Sequence, residues 1–233
     1  MSGVSSRVSS GLQGQDLSDL RYRIEAETVK KNSATKIAPR CVKELIERKT
    51  VYFEKIGNQN TEALLKLVKK YAESTGIKDI VVASTWGKTG VTASKLLKGY
   101  NVVVVTHHTG FSEPGTQELK EEYRKQILAN GAKIFTGTHA LSSVERAVRK
   151  KFGAMQPLEL MANTLRLMGE GTKVCVEIVM MAADAGLIPV DRDVVAVAGT
   201  GRGADTALVI KPANAPRFFD LKIREIIAKP RDF

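Results

Sequence analysis

Three sets of residues in this chain have types and spacings suited to chemistry. The first is Ser84-Thr85-Trp86-Gly87-Lys88-Thr89, which follows an apolar stretch at 80–83 and precedes a helix-like segment at 91–98. A buried strand that feeds a Ser/Thr/Gly turn into a helix start is suited to holding an anion. The first N–H groups of a helix have no partner within it, and the dipole there favours negative charge. The second set is a group of similar polar loops at expected strand ends, 106–115, 136–141 and 199–205. They add Thr106, Thr136, Gly137, Thr138, Gly199, Thr200, Gly201, Arg202 and Gly203 as candidate ligand-binding residues. Lys88 and Arg202 are the cations of the two glycine-containing turns. The third set is the histidines, His107, His108 and His139, all at strand ends. Each is a candidate acid or base near neutral pH. With no partner visible in the sequence, the simpler expectation is a hydrogen-bonded structural or ligand-orienting imidazole.

Two motif matches fail on inspection. Gly87-Lys88-Thr89 resembles the end of a nucleotide-triphosphate loop, but Val82 stands where that motif needs its first glycine. Gly199-Thr200-Gly201-Arg202-Gly203 resembles a dinucleotide fingerprint with Ala204 at the third glycine position. That motif must open a helix, and here a strand, 207–211, is expected next. No metal site is expected, since three histidines without a spaced carboxylate make a poor zinc set. Glu177 and Asp184, in an apolar helix, are expected to be capped or paired. Glu113 and Glu118 suit the dipole of a nearby helix start. Asp205 either stiffens its glycine turn or meets a ligand hydroxyl.

Alternating apolar patterns give the elements that must place these residues. Strands are expected at Val51–Phe53, 80–83, 102–106, 132–135, 193–198, 207–211 and 219–229. Helices are expected at 60–74 with Asn60 as cap and Gly76 as stop, at 91–98, over 119–129, from Ser142 or Ser143 to 151, at 157–168 and at 172–185. Strands alternating with helices predict an α/β fold, with a mostly parallel sheet covered on both faces. Ligands in such sheets bind beyond the carboxyl ends of the strands. Residues 1–34 read as a polar tail with a helical pattern at 16–31, and Pro39 opens a short helix at 40–48. This gives an N-terminal extension, 1–49, and a domain, 50–233.

The composition sets limits. The chain has 233 residues, 43% hydrophobic, and a formal net charge of +11. The charge favours anionic partners, either phosphorylated small molecules or, with least support, nucleic acid, because the basic residues form no block. Cys41 and Cys175 share no metal or redox spacing and fit a reducing cytoplasm. The N-terminus lacks a secretory apolar core, and the longest apolar stretch, 174–189, is too short and too charged to span a bilayer.

Several segments carry a family resemblance. Val81-Val82-Ala83-Ser84-Thr85-Trp86-Gly87-Lys88-Thr89 resembles the strand and phosphate loop of the pyruvate kinase C-terminal domain, and Gly199-Thr200-Gly201-Arg202-Gly203-Ala204-Asp205-Thr206 its later glycine turn. Thr136-Gly137-Thr138-His139-Ala140-Leu141-Ser142, Gly171-Thr172-Lys173-Val174-Cys175-Val176-Glu177 and Ala182-Ala183-Asp184-Ala185-Gly186-Leu187-Ile188-Pro189 are similar to the stand-alone archaeal and bacterial proteins of that fold. The resemblance covers roughly 50–231. It implies a three-layer α/β/α fold with a mixed sheet. It also implies no pyruvate kinase activity, because the catalytic barrel needs ~250 residues of its own. A phosphate pocket is implied at Ser84, Thr85, Gly87, Lys88 and Thr89, with flavin mononucleotide (FMN) or a sugar phosphate as occupant. Trp86 replaces a small hydroxyl residue and leaves room for a flat ring. The expected function is therefore binding of a phosphorylated ligand. A flavin-dependent enzyme using the same pocket is the alternative, and a homo-oligomer is compatible with either.

Overall fold

The computed structural model describes residues 45–233, and the segment 48–233 forms one compact unit. Seven strands make one sheet: β1 (Val51–Phe53), β2 (Asp79–Ala83), β3 (Asn101–Thr106), β4 (Lys133–Thr136), β5 (Val194–Ala198), β6 (Thr206–Lys211) and β7 (Lys222–Pro230). Their order across the sheet is β1-β7-β6-β5-β2-β3-β4. The ladders β5-β2-β3-β4 are parallel, β6 is antiparallel to both of its neighbours, and β1 pairs parallel with β7. The helices are α1 (Thr61–Thr75), α2 (Lys88–Leu96), α3 (Glu121–Ala129), α4 (Ser143–Phe152), α5 (Pro157–Arg166) and α6 (Glu170–Asp184). Among the described residues, no helix is long and apolar enough to cross a membrane.

Side-chain alternation along the strands separates two cores. Ile80, Val82, Val102, Val104, Val195 and Val197 face α1, α2 and α3, where Leu64, Leu65, Val68, Val91 and Ile127 cover them. Val81, Val103, Val105, Val194, Ala196 and Leu208 face the other way, onto α6 and onto Ala162 of α5. The result is a three-layer α/β/α fold with a mixed sheet. The helix α6 is buried along most of its length despite its β-branched residues. Its length and the left-handed Gly186 beyond its end (φ +66°) favour helix over strand.

Several boundaries differ from the sequence reading. The helix pattern at 16–31 and residues 40–44 lie outside the described residues, and 45–48, the end of the helix expected at 40–48, are not helical. The helix expected at 91–98 starts earlier, at Lys88, because glycine at 87 turns the chain directly off β2. Leu119 precedes its helix rather than lying in it. Asn60 occupies a cap position, but its side chain donates to the Lys55 carbonyl and not to the helix. Ser142 makes no side-chain cap bond, and Ser143, at φ +34°, donates instead to the His139 carbonyl. The last strand begins at Lys222, because Ala215–Asp220 forms a 3-10 turn.

The helix α6 meets the sheet without a gap at Gly171. A Cβ there would lie 2.4 Å from the Thr206 Cβ on β6. Gly171→Ala is therefore expected to lower stability by about 1–3 kcal/mol through overpacking. An unchanged urea midpoint would show that the two elements are not in fixed contact.

Candidate functional site

Strand β2 lies between β3 and β5, so the chain reverses its direction of travel across the sheet at β2. The loops after β2 and β5 therefore diverge over the carboxyl edge, the place where open α/β sheets accept ligands. A cleft of about 1300 Å³ lies there. This exceeds the roughly 300–1,000 Å³ of ordinary small-molecule pockets and has room for a nucleotide-sized ligand.

The first wall is the β2–α2 turn. Gly87 has φ +106°, and a Cβ on it would sit 2.5 Å from the Tyr123 Cβ, so only glycine fits. Ser84 is buried, and its Oγ accepts the Gly90 N–H at 3.0 Å. That bond satisfies one first-turn amide from inside. The Lys88 and Thr89 amides, by their place in the first turn, have no carbonyl within the helix to bond. The second wall is the β5–β6 turn. Asp205 is fully buried there. Its carboxylate accepts the Thr200 N–H at 3.1 Å, the Gly57 N–H at 3.0 Å and the Thr206 hydroxyl at 2.9 Å. Asp205 thus stiffens the glycine turn, as one of its two expected roles required. Across the gap the Arg202 guanidinium lies 5.7 Å from the centre of the Trp86 ring, within cation–π range.

Thirteen of the candidate residues line this cleft: Ser84, Thr85, Trp86, Gly87, Lys88, Thr89, Thr106, His107, His139, Gly199, Gly201, Arg202 and Gly203. Lys88 and Arg202 share it. His108, Thr136, Gly137, Thr138 and Thr200 do not line it. The Thr136 hydroxyl pairs with that of Thr106 at 2.7 Å, and His108 Nδ1 contacts the Thr109 carbonyl at 2.8 Å. The Thr200 hydroxyl is buried with no hydrogen-bond partner among the described residues.

The histidines gather around Phe111. His107 and His139 have ring centres 5.3 Å apart, and Phe111 lies 3.9 Å from His107. His107 has a carboxylate partner after all: its Nδ1 is 2.7 Å from Glu118 Oε2, and its Nε2 is 3.3 Å from Thr85 Oγ1. Glu118 therefore serves an imidazole and not the helix dipole assigned to it from sequence. Burial holds His139 well below the usual histidine value, at about 4, with the Glu177 charge opposing and the other histidines and Lys173 adding to the effect.

Sequence reasoning missed most of the cationic lining. Lys88, Lys120, Arg146, Arg149, Lys150, Arg166, Lys173 and Arg202 line the cleft against five glutamates. Three of those cations are neutralised, as Arg149–Glu159, Arg166–Glu170 and Lys173–Glu177. The last pair is buried, with 2.5 Å between Nζ and Oε2, and Glu177 Oε1 also accepts the Leu141 N–H at 2.9 Å. Glu177 is thus paired and hydrogen-bonded, as its apolar setting requires. Asp184 likewise accepts from Asn214 and the Ala215 amide. The i, i+4 spacing of Lys173 and Glu177 was the one available signal for the buried pair.

Comparison with known families decides the affiliation. Residues 62–210 match the family described as "Pyruvate kinase, alpha/beta domain". The chain belongs to this family. Among solved structures, a pyruvate kinase from Cryptosporidium parvum is 15% identical, with 66% of this chain and 23% of that one covered and a TM-score of 0.35. A second structure of Cryptosporidium parvum pyruvate kinase is also 15% identical, with 66% and 22% covered and a TM-score of 0.33. The same enzyme in complex with ADP is 17% identical, with 67% and 24% covered and a TM-score of 0.33. The matched region is thus under a quarter of each of those enzymes.

Two stability outcomes follow. Glu177→Leu strands the Lys173 charge in the interior and should cost about 3–5 kcal/mol, while Lys173→Met combined with Glu177→Leu should recover most of it. Urea denaturation of the two variants tests this, and equal losses would show that the pair is not a closed unit. His139 stays neutral when folded down to about pH 4, whereas its ordinary value is 6.5. Between these values the unfolded chain binds a proton that the folded chain does not, so stability falls as pH is lowered through that window. His139→Gln should flatten the fall, seen by comparing urea midpoints at the two ends of the window.

Proposed function

We propose that the cleft binds a phosphorylated small molecule with a flat ring, FMN being the preferred occupant and a sugar phosphate the alternative. The observation that carries this reading is the convergence of the α2 start with Lys88 and Arg202 on one cleft at the sheet's reversal point. The first-turn amides and the two cations supply what a phosphate needs, since helix starts and charge-assisted donors both favour it. Trp86 and the rings of Phe111 and His107 offer flat surfaces at cleft level, and stacking on them suits a planar ring. Lys88, Lys120 and Lys150 are paired with no carboxylate among the described residues, so the lining keeps a net positive charge.

The test is fluorescence titration with FMN against riboflavin, which lacks the phosphate. FMN should bind more tightly, and Lys88→Ala should weaken it by roughly tenfold, the loss of one charged hydrogen bond. Raising salt should erode the preference. Equal affinity for the two flavins, or no binding of FMN or any sugar phosphate, overturns the reading.

A further inference from the structure

One hydrogen-bonded chain in the cleft is not explained by ligand binding. Thr85 Oγ1 faces His107 Nε2 at 3.3 Å, and His107 Nδ1 faces Glu118 Oε2 at 2.7 Å. A carboxylate accepts only, so Nδ1 carries the proton and Nε2 is left as the basic nitrogen aimed at the Thr85 hydroxyl. The imidazole is fixed by Phe111 at 3.9 Å, and the His107 carbonyl accepts from Gln117, whose own carbonyl accepts the Leu119 N–H. Ser84, the neighbouring hydroxyl, is buried and committed to the Gly90 amide, so Thr85 is the free one.

The local fold matches the chemistry. Thr85 sits between Ala83 and Gly87 in a strand–turn–helix, the small-x-nucleophile-x-small arrangement that exposes a nucleophile at the edge of an α/β sheet. Unlike the nucleophile in that elbow, Thr85 does not have a positive φ. The α2 amides begin just beyond it and have no helical partners, which is what an oxyanion requires. Hydroxyl, imidazole and carboxylate in this order are the nucleophile, base and orienting group of acyl transfer. The 3.3 Å contact is long, as such bonds commonly are before substrate binds.

We propose that Thr85, His107 and Glu118 form a catalytic triad and that the cleft hydrolyses carboxylic esters carrying an anionic group. This goes beyond the ligand-binding reading and shares with it the cations, the first-turn amides of α2 and the His107 ring. Thr85 Oγ1 attacks the ester carbon as its proton passes to His107 Nε2, and the carbonyl π pair moves onto oxygen. The oxyanion collapses, the C–O bond to the alcohol breaks, and His107 returns the proton to the departing oxygen. Water then attacks the threonyl ester, giving its proton to His107. The carboxylic acid leaves, and Thr85 regains its hydrogen. Ester plus water become acid plus alcohol, with no oxidant or other co-reactant. Glu118 touches no reacting atom and is the positioning residue. Lys88 and Arg202 select for the anion.

The test uses para-nitrophenyl acetate and para-nitrophenyl succinate, the second carrying a carboxylate, with the full chain. Wild type should release nitrophenolate above the buffer rate and prefer the succinate. Thr85→Val and His107→Ala should lose about a thousandfold or more, and Thr85→Ser should retain activity. Glu118→Gln should lower kcat with KM kept and should move the pH profile, which a merely structural loss would not do. Mass spectrometry after acetate turnover should find one acetyl group on the peptide containing Thr85. Circular dichroism and the urea midpoint confirm that each variant is folded. Hydrolysis at the buffer rate by wild type that binds FMN overturns the triad and leaves the ligand reading standing. Hydrolysis without FMN binding does the reverse. Acetyl on another residue, or a Thr85→Val rate equal to wild type, also overturns the triad.

Discussion

Everything functional in this molecule depends on a helix being started without a side-chain cap of its own. The turn from β2 into α2 must be made in four residues, with the chain closing against Tyr123 and Leu119 on α3 and its approach. Only glycine fits at position 87. The usual capping hydroxyl is supplied from inside the turn by Ser84, three residues upstream of that glycine, and it reaches the Gly90 amide. This bond keeps one amide occupied, while the amides before it, on residues that line the cleft, have no partner within the helix. The Thr85 hydroxyl then stands at the mouth of the turn and not within it.

The opposite wall is built on a different principle. The β5–β6 connection contains no helix, so its geometry rests on one carboxylate. Asp205 collects two backbone amides and one hydroxyl, and the Thr61 hydroxyl holds the Ala204 amide at 2.9 Å. The turn is therefore tied both to the sheet and to the start of α1. This wall and the α2 start face each other across the reversal point, with the cleft between them.

How far this was legible in the sequence depended on whether the signal was local. The β-branched run at 102–105 and the Ile-Val-Val run at 80–82 announced buried parallel strands, because both faces of such a strand must be apolar. The glycines at 87, 199 and 203 marked the turns. The cationic side of the cleft was not legible, since Arg146, Arg149, Lys150 and Arg166 sit on helices whose patterns look like ordinary charged solvent faces. Their convergence follows from how α4 and α5 return over the sheet, which no short window contains. The His107–Glu118 pairing was hidden for the same reason in miniature. Eleven positions separate the two residues, and the loop between them has no period. Glu118 looked like a helix-start acid because it lies just ahead of the helix, which begins at Glu121.

The pairing of β1 with β7 has a consequence of another kind. Val51 lies opposite Ala228 and Phe53 opposite Pro230 in parallel register, so the first and last strands of the compact unit share one sheet margin, with the chain entering at its amino edge and leaving at its carboxyl edge. The pairing ties both end strands into the ladder, so neither can fray without unpairing the margin. The carboxyl end of β7 lies on the same edge as the cleft, because β6 is antiparallel to both β5 and β7. Removing β1 would bare the β7 edge as an unpaired row of backbone groups, a template for pairing with another chain.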